Sequence, residues 1–131
     1  MLIKTLLVLK PYALLISICY TVLLVIASFI SLDDIPEIDV DQGDKVFHLL
    51  VYFILVILWY VAIFVKVNWN KSKKIFIIEL FSVVFGIIIE FLQGNLTSYR
   101  ATDSLDILAN TIGVLLASIV LWLSNKNVKN K

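Results

Sequence analysis

A single histidine and a few carboxylates interrupt segments that are otherwise apolar, and these residues are the ones most able to do chemistry. His48 could take up or release a proton near neutral pH. Glu90 and Asp106 could act with it as general acid, general base or orienting group. We therefore take these three as the candidate catalytic residues. A histidine with carboxylates would suit Mg, Mn or Ca better than zinc, but the sequence specifies no metal or cofactor.

Further polar residues flank these three and could bind a ligand. Arg100 could hold a phosphate or a carboxylate through two parallel hydrogen bonds. The candidate ligand-binding residues are Asp44, Lys45, Tyr52, Gln93, Arg100, Asp103 and Asn110. The alternative interpretation is that these groups only hold helices together. For Arg100, the alternative is a solvated loop charge.

Long apolar runs carry these residues. Of the 131 residues, 61% are hydrophobic and the mean hydropathy is +1.01, whereas soluble domains are about 45 to 50% apolar. Runs at residues 12–32, 46–65, 75–93 and 104–123 are each long enough to cross a bilayer, since 20 helical residues cover ~30 Å. Because a backbone in lipid must satisfy its own hydrogen bonds, we predict one all-α domain over residues 1–131, a transmembrane four-helix up-down bundle.

Charges in the connecting segments orient the predicted bundle. Lysines precede the first run, fill the second connection and end the chain: Lys4, Lys10, Lys66, Lys71, Lys73, Lys74, Lys126, Lys129 and Lys131. The positive-inside rule therefore predicts that both termini are cytoplasmic and that the acidic first connection is outside. Lysines before an apolar run also occur in cleaved signal peptides, but this run is longer than their usual core, so we expect it to remain as a span.

This topology gathers the polar residues at one level of the membrane. The second helix starts outside, the third ends outside and the fourth starts outside. On the fourth helix Asp103, Asp106, Asn110, Gly113 and Ala117 share one sector. Small residues let helices pack closely, so this face would turn the polar groups inward. We expect a shared polar pocket beneath the outer leaflet.

Composition excludes several function classes. The formal net charge of +1 gives no electrostatic footprint for nucleic acid. Cys19 is the only cysteine, so the chain is not a disulfide scaffold. Its four glycines form no glycine-rich phosphate loop. The motifs typical of soluble enzymes are therefore absent.

Three separated motifs resemble the pattern of the bacterial VanZ-like family. They follow in order Asp44-Lys45-x-x-His48-x-x-x-Tyr52, Glu90-x-x-Gln93 and Arg100-x-x-x-x-x-Asp106-x-x-x-Asn110-x-x-Gly113, and they span over half the chain. The chain departs from the pattern at Ser98, where the family often has proline, and at Ala117, where it often has glycine. The resemblance implies a small multi-pass protein of the bacterial cytoplasmic membrane. The family is named after an accessory determinant of resistance to the glycopeptide teicoplanin, and it implies no established reaction.

Three functions are compatible with these residues. The first is a non-transporting cell-envelope protein whose outer pocket binds a polar head group or cell-wall-related ligand. The second is a membrane enzyme acting on a lipid-linked envelope precursor, with His48 or Glu90 as base, Asp106 orienting it and Arg100 neutralising a phosphate. The third is a purely structural polar network. The expected partners are the lipid bilayer and this ligand, and an oligomer is compatible with all three.

Overall fold

Four α-helices make up the part of the chain that the structure describes. The computed structural model describes residues 10–29, 41–96 and 104–128. The helices are α1 (Ala13–Phe29, after a 3-10 turn at Lys10–Tyr12), α2 (Asp41–Lys66), α3 (Lys71–Leu96) and α4 (Ser104–Val128). These ranges contain no strand, so the all-α prediction is confirmed for the described residues.

Three of these helices are long and apolar enough to cross a membrane, namely over Lys45–Phe64, Lys71–Leu96 and Ser104–Ser124. The helix in the first predicted span, α1, is apolar but has only 17 residues, and residues 30–32 of that span lie outside the described residues.

Helix α3 begins earlier than the uncharged run that predicted it at residue 75. The side-chain oxygen of Asn70 accepts a hydrogen bond from the Lys73 amide at 2.8 Å, which satisfies one of the unpaired donors of the first helical turn. Lysines at a helix end do not interrupt the helix. Uncharged runs therefore mark the apolar core of a span and underestimate the helix.

The outer surface of the helices is apolar. Leu23, Phe47, Phe76 and Phe91 are each more than 60% exposed, whereas soluble monomers rarely expose large continuous apolar patches. Several polar side chains are buried instead: Ser17, Lys74, Ser82, Glu90, Gln93, Asp106, Asn110 and Ser118. This distribution fits helices whose outer faces contact lipid and whose inner faces contact polar partners.

Consecutive helices run antiparallel. Between α2 and α3, the rings of Tyr52 and Phe85 lie 6.2 Å apart, and those of Trp59 and Phe81 lie 6.0 Å apart. Residue numbers therefore rise along one helix as they fall along the other. Helices α3 and α4 are antiparallel too, since the first residue of α3, Lys71, reaches the last turns of α4.

The most extensive helix contact joins α2 and α4, which run parallel. They approach closely at Gly113, where an added methyl group would overlap the carbonyl oxygen of Leu49 and lie 3.0 Å from its carbonyl carbon. Only glycine fits this position without moving a backbone. Ala117 is completely buried one turn further along the same face, so the small face predicted for this helix packs inward.

Hydrogen bonds attach α1 to α2. The Ser17 hydroxyl contacts the Leu58 carbonyl oxygen at 2.9 Å, and the Tyr20 hydroxyl donates to the Val51 carbonyl oxygen at 2.6 Å. Lipid removes most of the hydrophobic driving force for helix association, so such interhelical bonds and close packing must replace it.

Candidate functional site

Asp106 joins two basic side chains at one end of the bundle. The Lys45 ammonium donates a hydrogen bond to Oδ1 of Asp106, and Nε2 of His48 lies 3.6 Å from Oδ2 of the same carboxylate. Lys45 and His48 are three residues apart and so share a face of α2. Asp106 lies in the first turn of α4, where the helix dipole stabilises a negative charge.

The second ring nitrogen of His48 contacts Asn110. The distance between Nδ1 of His48 and Oδ1 of Asn110 is 3.1 Å. Both ring nitrogens therefore face oxygen atoms. The 3.1 Å contact with Asn110 is within hydrogen-bond range, whereas the 3.6 Å separation between Nε2 and Asp106 is an electrostatic contact. We call Lys45, His48, Asp106 and Asn110 the polar cluster.

Gly86 lets α3 approach the deeper side of the polar cluster. A methyl group at this position would lie 3.0 Å from Cε1 of Tyr52 and 3.4 Å from Nδ2 of Asn110. Tyr52 and Asn110 are each only 3% exposed. The tyrosine ring and the amide thus pack against the backbone of α3, and the absence of a side chain at Gly86 makes room for them.

Glu90 follows Gly86 by one helical turn and is only 3% exposed. Helices α2 and α3 are antiparallel, and Tyr52 lies beside Gly86. One turn further along α3 and one turn back along α2 therefore place Glu90 at the level of His48. Its carboxylate is within electrostatic range of Tyr52. Among the described residues, however, no three His, Cys, Asp or Glu side chains are placed to hold a metal ion.

Gln93 contacts α1. Its Nε2 donates to the Ser28 carbonyl oxygen at 2.7 Å. Ser28 lies in the last described turn of α1. The amide thereby joins α3 to α1, a structural role that its sequence spacing did not indicate. Its predicted part in ligand binding stays a prediction.

The remaining predicted site residues lie outside what the structure describes. The side chain of Asp44, and Arg100 and Asp103 entirely, fall in this group. Their proposed roles rest on sequence position alone. Of the ten predicted site residues, the structure brings Lys45, His48, Asp106 and Asn110 into direct contact.

Sequence reasoning missed the hydroxyl groups that hold the helices together. Ser17 contacts α2, and Thr21 accepts a hydrogen bond from Nε1 of Trp59 at 2.9 Å. The available signal was their occurrence in a run without charges, because Ser and Thr are common at interfaces between membrane helices.

Comparison with known proteins places few limits on function. No family model matches the sequence, and no solved structure matches it. The chain is 32% identical over 107 residues to an uncharacterized protein of Schizosaccharomyces pombe, and the match covers 82% of this chain and 62% of the relative. The chain thus spans less than two thirds of that protein's length. Since this relative is fungal, the similarity does not single out a bacterial membrane.

Proposed function

We propose that the chain is a four-span protein of the bacterial cytoplasmic membrane, a member of the VanZ-like family, with both termini in the cytoplasm. The lysine distribution supports this orientation, and α1 supplies the fourth span together with the residues that follow it. A cysteine at position 42, in a chain with Cys19→Ser, is then labelled by an impermeant maleimide added outside intact cells. Labelling only after the membrane is opened would overturn the orientation.

The polar cluster binds a polar head group of an envelope-related ligand in this proposal. The observation that carries it is the pairing of Lys45 and His48 with one carboxylate, Asp106, inside an apolar bundle. A charged residue costs ~2.5 to 3.5 kcal/mol at the centre of a spanning helix on insertion scales and less near its end, and such residues usually mark functional sites. Apolar side chains would pack there without this expense in free energy.

The exposure of the charged groups supports an anionic head group. The Lys45 side chain is 29% exposed, while the Asp106 side chain that holds it is only 13% exposed. The ammonium therefore lies at the mouth of the cluster with the carboxylate behind it. A phosphate or carboxylate arriving from the membrane surface would meet a cation that is already oriented. Arg100 precedes the first residue of α4 by four positions in the sequence.

Binding can be measured with a polyprenyl phosphate as the probe and the full chain in nanodiscs. Lys45→Gln should weaken binding about tenfold or more, because charge-assisted hydrogen bonds contribute ~1.5 to 3 kcal/mol. His48→Gln should leave most of the affinity, since binding needs no proton transfer. Asn95→Ala, which alters an exposed polar residue at the same end, is the matched control. Equal affinity of Lys45→Gln and wild type would exclude the proposal.

A membrane enzyme is the second candidate, and the contact between His48 and Asp106 is the observation that favours it. A histidine oriented by a carboxylate is a common general base. In that case His48 or Glu90 takes a proton from water, the water oxygen bonds to phosphorus, and the bond from phosphorus to the lipid oxygen breaks, which leaves a lipid alcohol and inorganic phosphate. Both His48→Gln and Glu90→Gln then abolish turnover while the lipid still binds. Absence of turnover with Mg²⁺, Mn²⁺ or Ca²⁺ present would leave binding as the function.

We also propose a role in teicoplanin resistance, which follows from the family resemblance. Expression of the wild-type chain in a susceptible bacterium should raise the inhibitory concentration of teicoplanin, and the Lys45→Gln variant should not. If Asp106→Asn lowers stability while leaving lipid binding and resistance unchanged, the network is structural only.

A further inference from the structure

The end of the bundle opposite the polar cluster carries basic and aromatic side chains. We define the lysine–tryptophan cluster as Lys66, Lys71, Lys73, Trp69 and Trp122. Positions 71 and 90 of α3 are ~28 Å apart at 1.5 Å per residue, and position 90 lies at the level of His48. The lysine–tryptophan cluster is therefore distant from the polar cluster. The sequence has no acidic residue from position 64 to position 78 and has four lysines there.

Two of these lysines are held against tryptophan rings. The Lys71 ammonium lies 4.7 Å from the ring centroid of Trp122 and donates to the carbonyl oxygen of that residue at 2.6 Å. The Lys73 ammonium lies 4.7 Å from the ring centroid of Trp69. Attraction between a cation and an aromatic face restricts both ammonium groups. Lys71 and Lys73 therefore hold positive charge in defined positions beside the two rings.

The rings also locate this positive charge relative to lipid. Trp122 is 43% exposed and Trp69 is 38% exposed, and tryptophan is enriched at the boundary between acyl chains and head groups. Leu123, which follows Trp122, and Phe76, which lies one turn after Lys73 on α3, are exposed apolar side chains at the same end. A ligand at this surface thus meets positive charge on one side and an apolar surface on the other.

We propose that the lysine–tryptophan cluster binds anionic phospholipids of the adjacent leaflet, with their phosphate groups on the lysines. Positive charge beside interfacial tryptophans complements an anionic head group, and the exposed apolar side chains accommodate acyl chains, which a soluble phosphate lacks. The proposal concerns the opposite end of the bundle from the head-group site proposed above. Either site can therefore fail its test without affecting the other.

Quenching of tryptophan fluorescence tests this proposal. The full chain is reconstituted in phosphatidylcholine vesicles that contain a minor fraction of brominated phosphatidylglycerol or, as the reference, brominated phosphatidylcholine. All chains in this test carry Trp59→Phe, so that Trp69 and Trp122 are their only tryptophans. Bromine on the acyl chains then quenches these two rings according to the local concentration of the brominated lipid. We expect stronger quenching by phosphatidylglycerol. This preference should decrease as salt is added, because salt screens exposed charges.

Lys66 and Lys73 are exposed, so their replacement should leave the fold intact. The double variant Lys66→Gln, Lys73→Gln should lower the preference for phosphatidylglycerol over phosphatidylcholine. We expect a decrease of about fivefold for each lysine replaced, which corresponds to about 1 kcal/mol per charge. Lys66→Arg with Lys73→Arg is the matched control and should retain it. Equal quenching by the two lipids in the wild type, or full preference in the glutamine variant, would overturn the proposal. Displacement of the lipid by millimolar inorganic phosphate, beyond the effect of sodium chloride at the same ionic strength, would also overturn it by assigning the site to a soluble anion.

Discussion

The contact between α2 and α4 at Gly113 predicts a large effect from a small substitution. In Gly113→Ala the new methyl group would overlap the Leu49 carbonyl oxygen and lie 3.0 and 3.1 Å from the carbonyl carbon and Cα of that residue. Ordinary contacts between carbon atoms are ~3.5 to 4.0 Å. Helical backbone atoms cannot rotate away as a side chain can. The two helices must therefore separate by roughly 0.5 Å or more.

This separation would extend to the polar cluster. Asn110 lies one turn before Gly113, and His48 is adjacent to Leu49. Their hydrogen bond of 3.1 Å would lengthen beyond the range of ordinary hydrogen bonds. Overpacking costs ~1 to 3 kcal/mol and a lost hydrogen bond ~0.5 to 1.5 kcal/mol, while alanine regains about 1 kcal/mol of helix propensity over glycine. We expect the free energy of unfolding to fall by about 1 to 3 kcal/mol.

Two measurements check this prediction. Reversible unfolding of the purified chain in mixed micelles gives the change in stability. Because His48 is the only histidine, the imidazole NMR signals report its hydrogen bond without assignment. Gly86→Ala is the control, since its methyl group would meet side-chain atoms of Tyr52 and Asn110 at 3.0 and 3.4 Å, which can adjust at lower cost. The reasoning is refuted if Gly86→Ala is the more damaging change, or if Gly113→Ala alters neither stability nor the imidazole signals.

Three further substitutions give separate tests in the same unfolding assay. A double-mutant cycle of Lys45→Met and Asp106→Asn should give a coupling free energy of about 1 kcal/mol. This value is near the upper limit for exposed ion pairs, because both groups are partly covered. A coupling free energy of zero would contradict the pairing. Gln93→Leu should destabilise by about 1 kcal/mol, because the carbonyl group of Ser28 loses its donor; unchanged stability would mean that water replaces the amide. Ser82→Ala should leave stability unchanged or raise it by up to about 1 kcal/mol, since the buried hydroxyl has no hydrogen-bond partner among the described residues; a clear loss would reveal a partner.

The sequence was sufficient to predict the helices and the inward face of α4. Uncharged runs and helical spacing are local properties, and in an apolar chain they determine which segments become helices. The same spacing predicted that Asp106, Asn110, Gly113 and Ala117 lie on one face, and all four are buried. The contacts of Asp106 with Lys45 and His48 also follow from that placement, because the three groups lie at the same end of their helices.

The strongest helix contact could not be predicted in this way. Short connections favour packing between neighbours in the sequence, yet the most extensive contact joins α2 with α4. It depends on the fit of Gly113 against the carbonyl group of Leu49, which is a property of two distant segments. The contact of Gln93 with Ser28 depends on such a fit as well, whereas spacing alone had grouped Gln93 with the ligand-binding residues.

The polar character of the site decreases from the mouth of the bundle toward its interior. Among the described residues, Lys45 and Asp106 form a charged pair at the mouth, and Asn110 contributes a neutral amide one turn deeper. Below it the facing surfaces of α2 and α4 are Leu49 and Gly113, without charge. This order follows from energetics, because a charge becomes more costly with depth in the membrane and a neutral amide needs only a hydrogen bond. A ligand with a charged head group and an apolar tail would match this order, with its head group at Lys45 and its tail in the surrounding lipid.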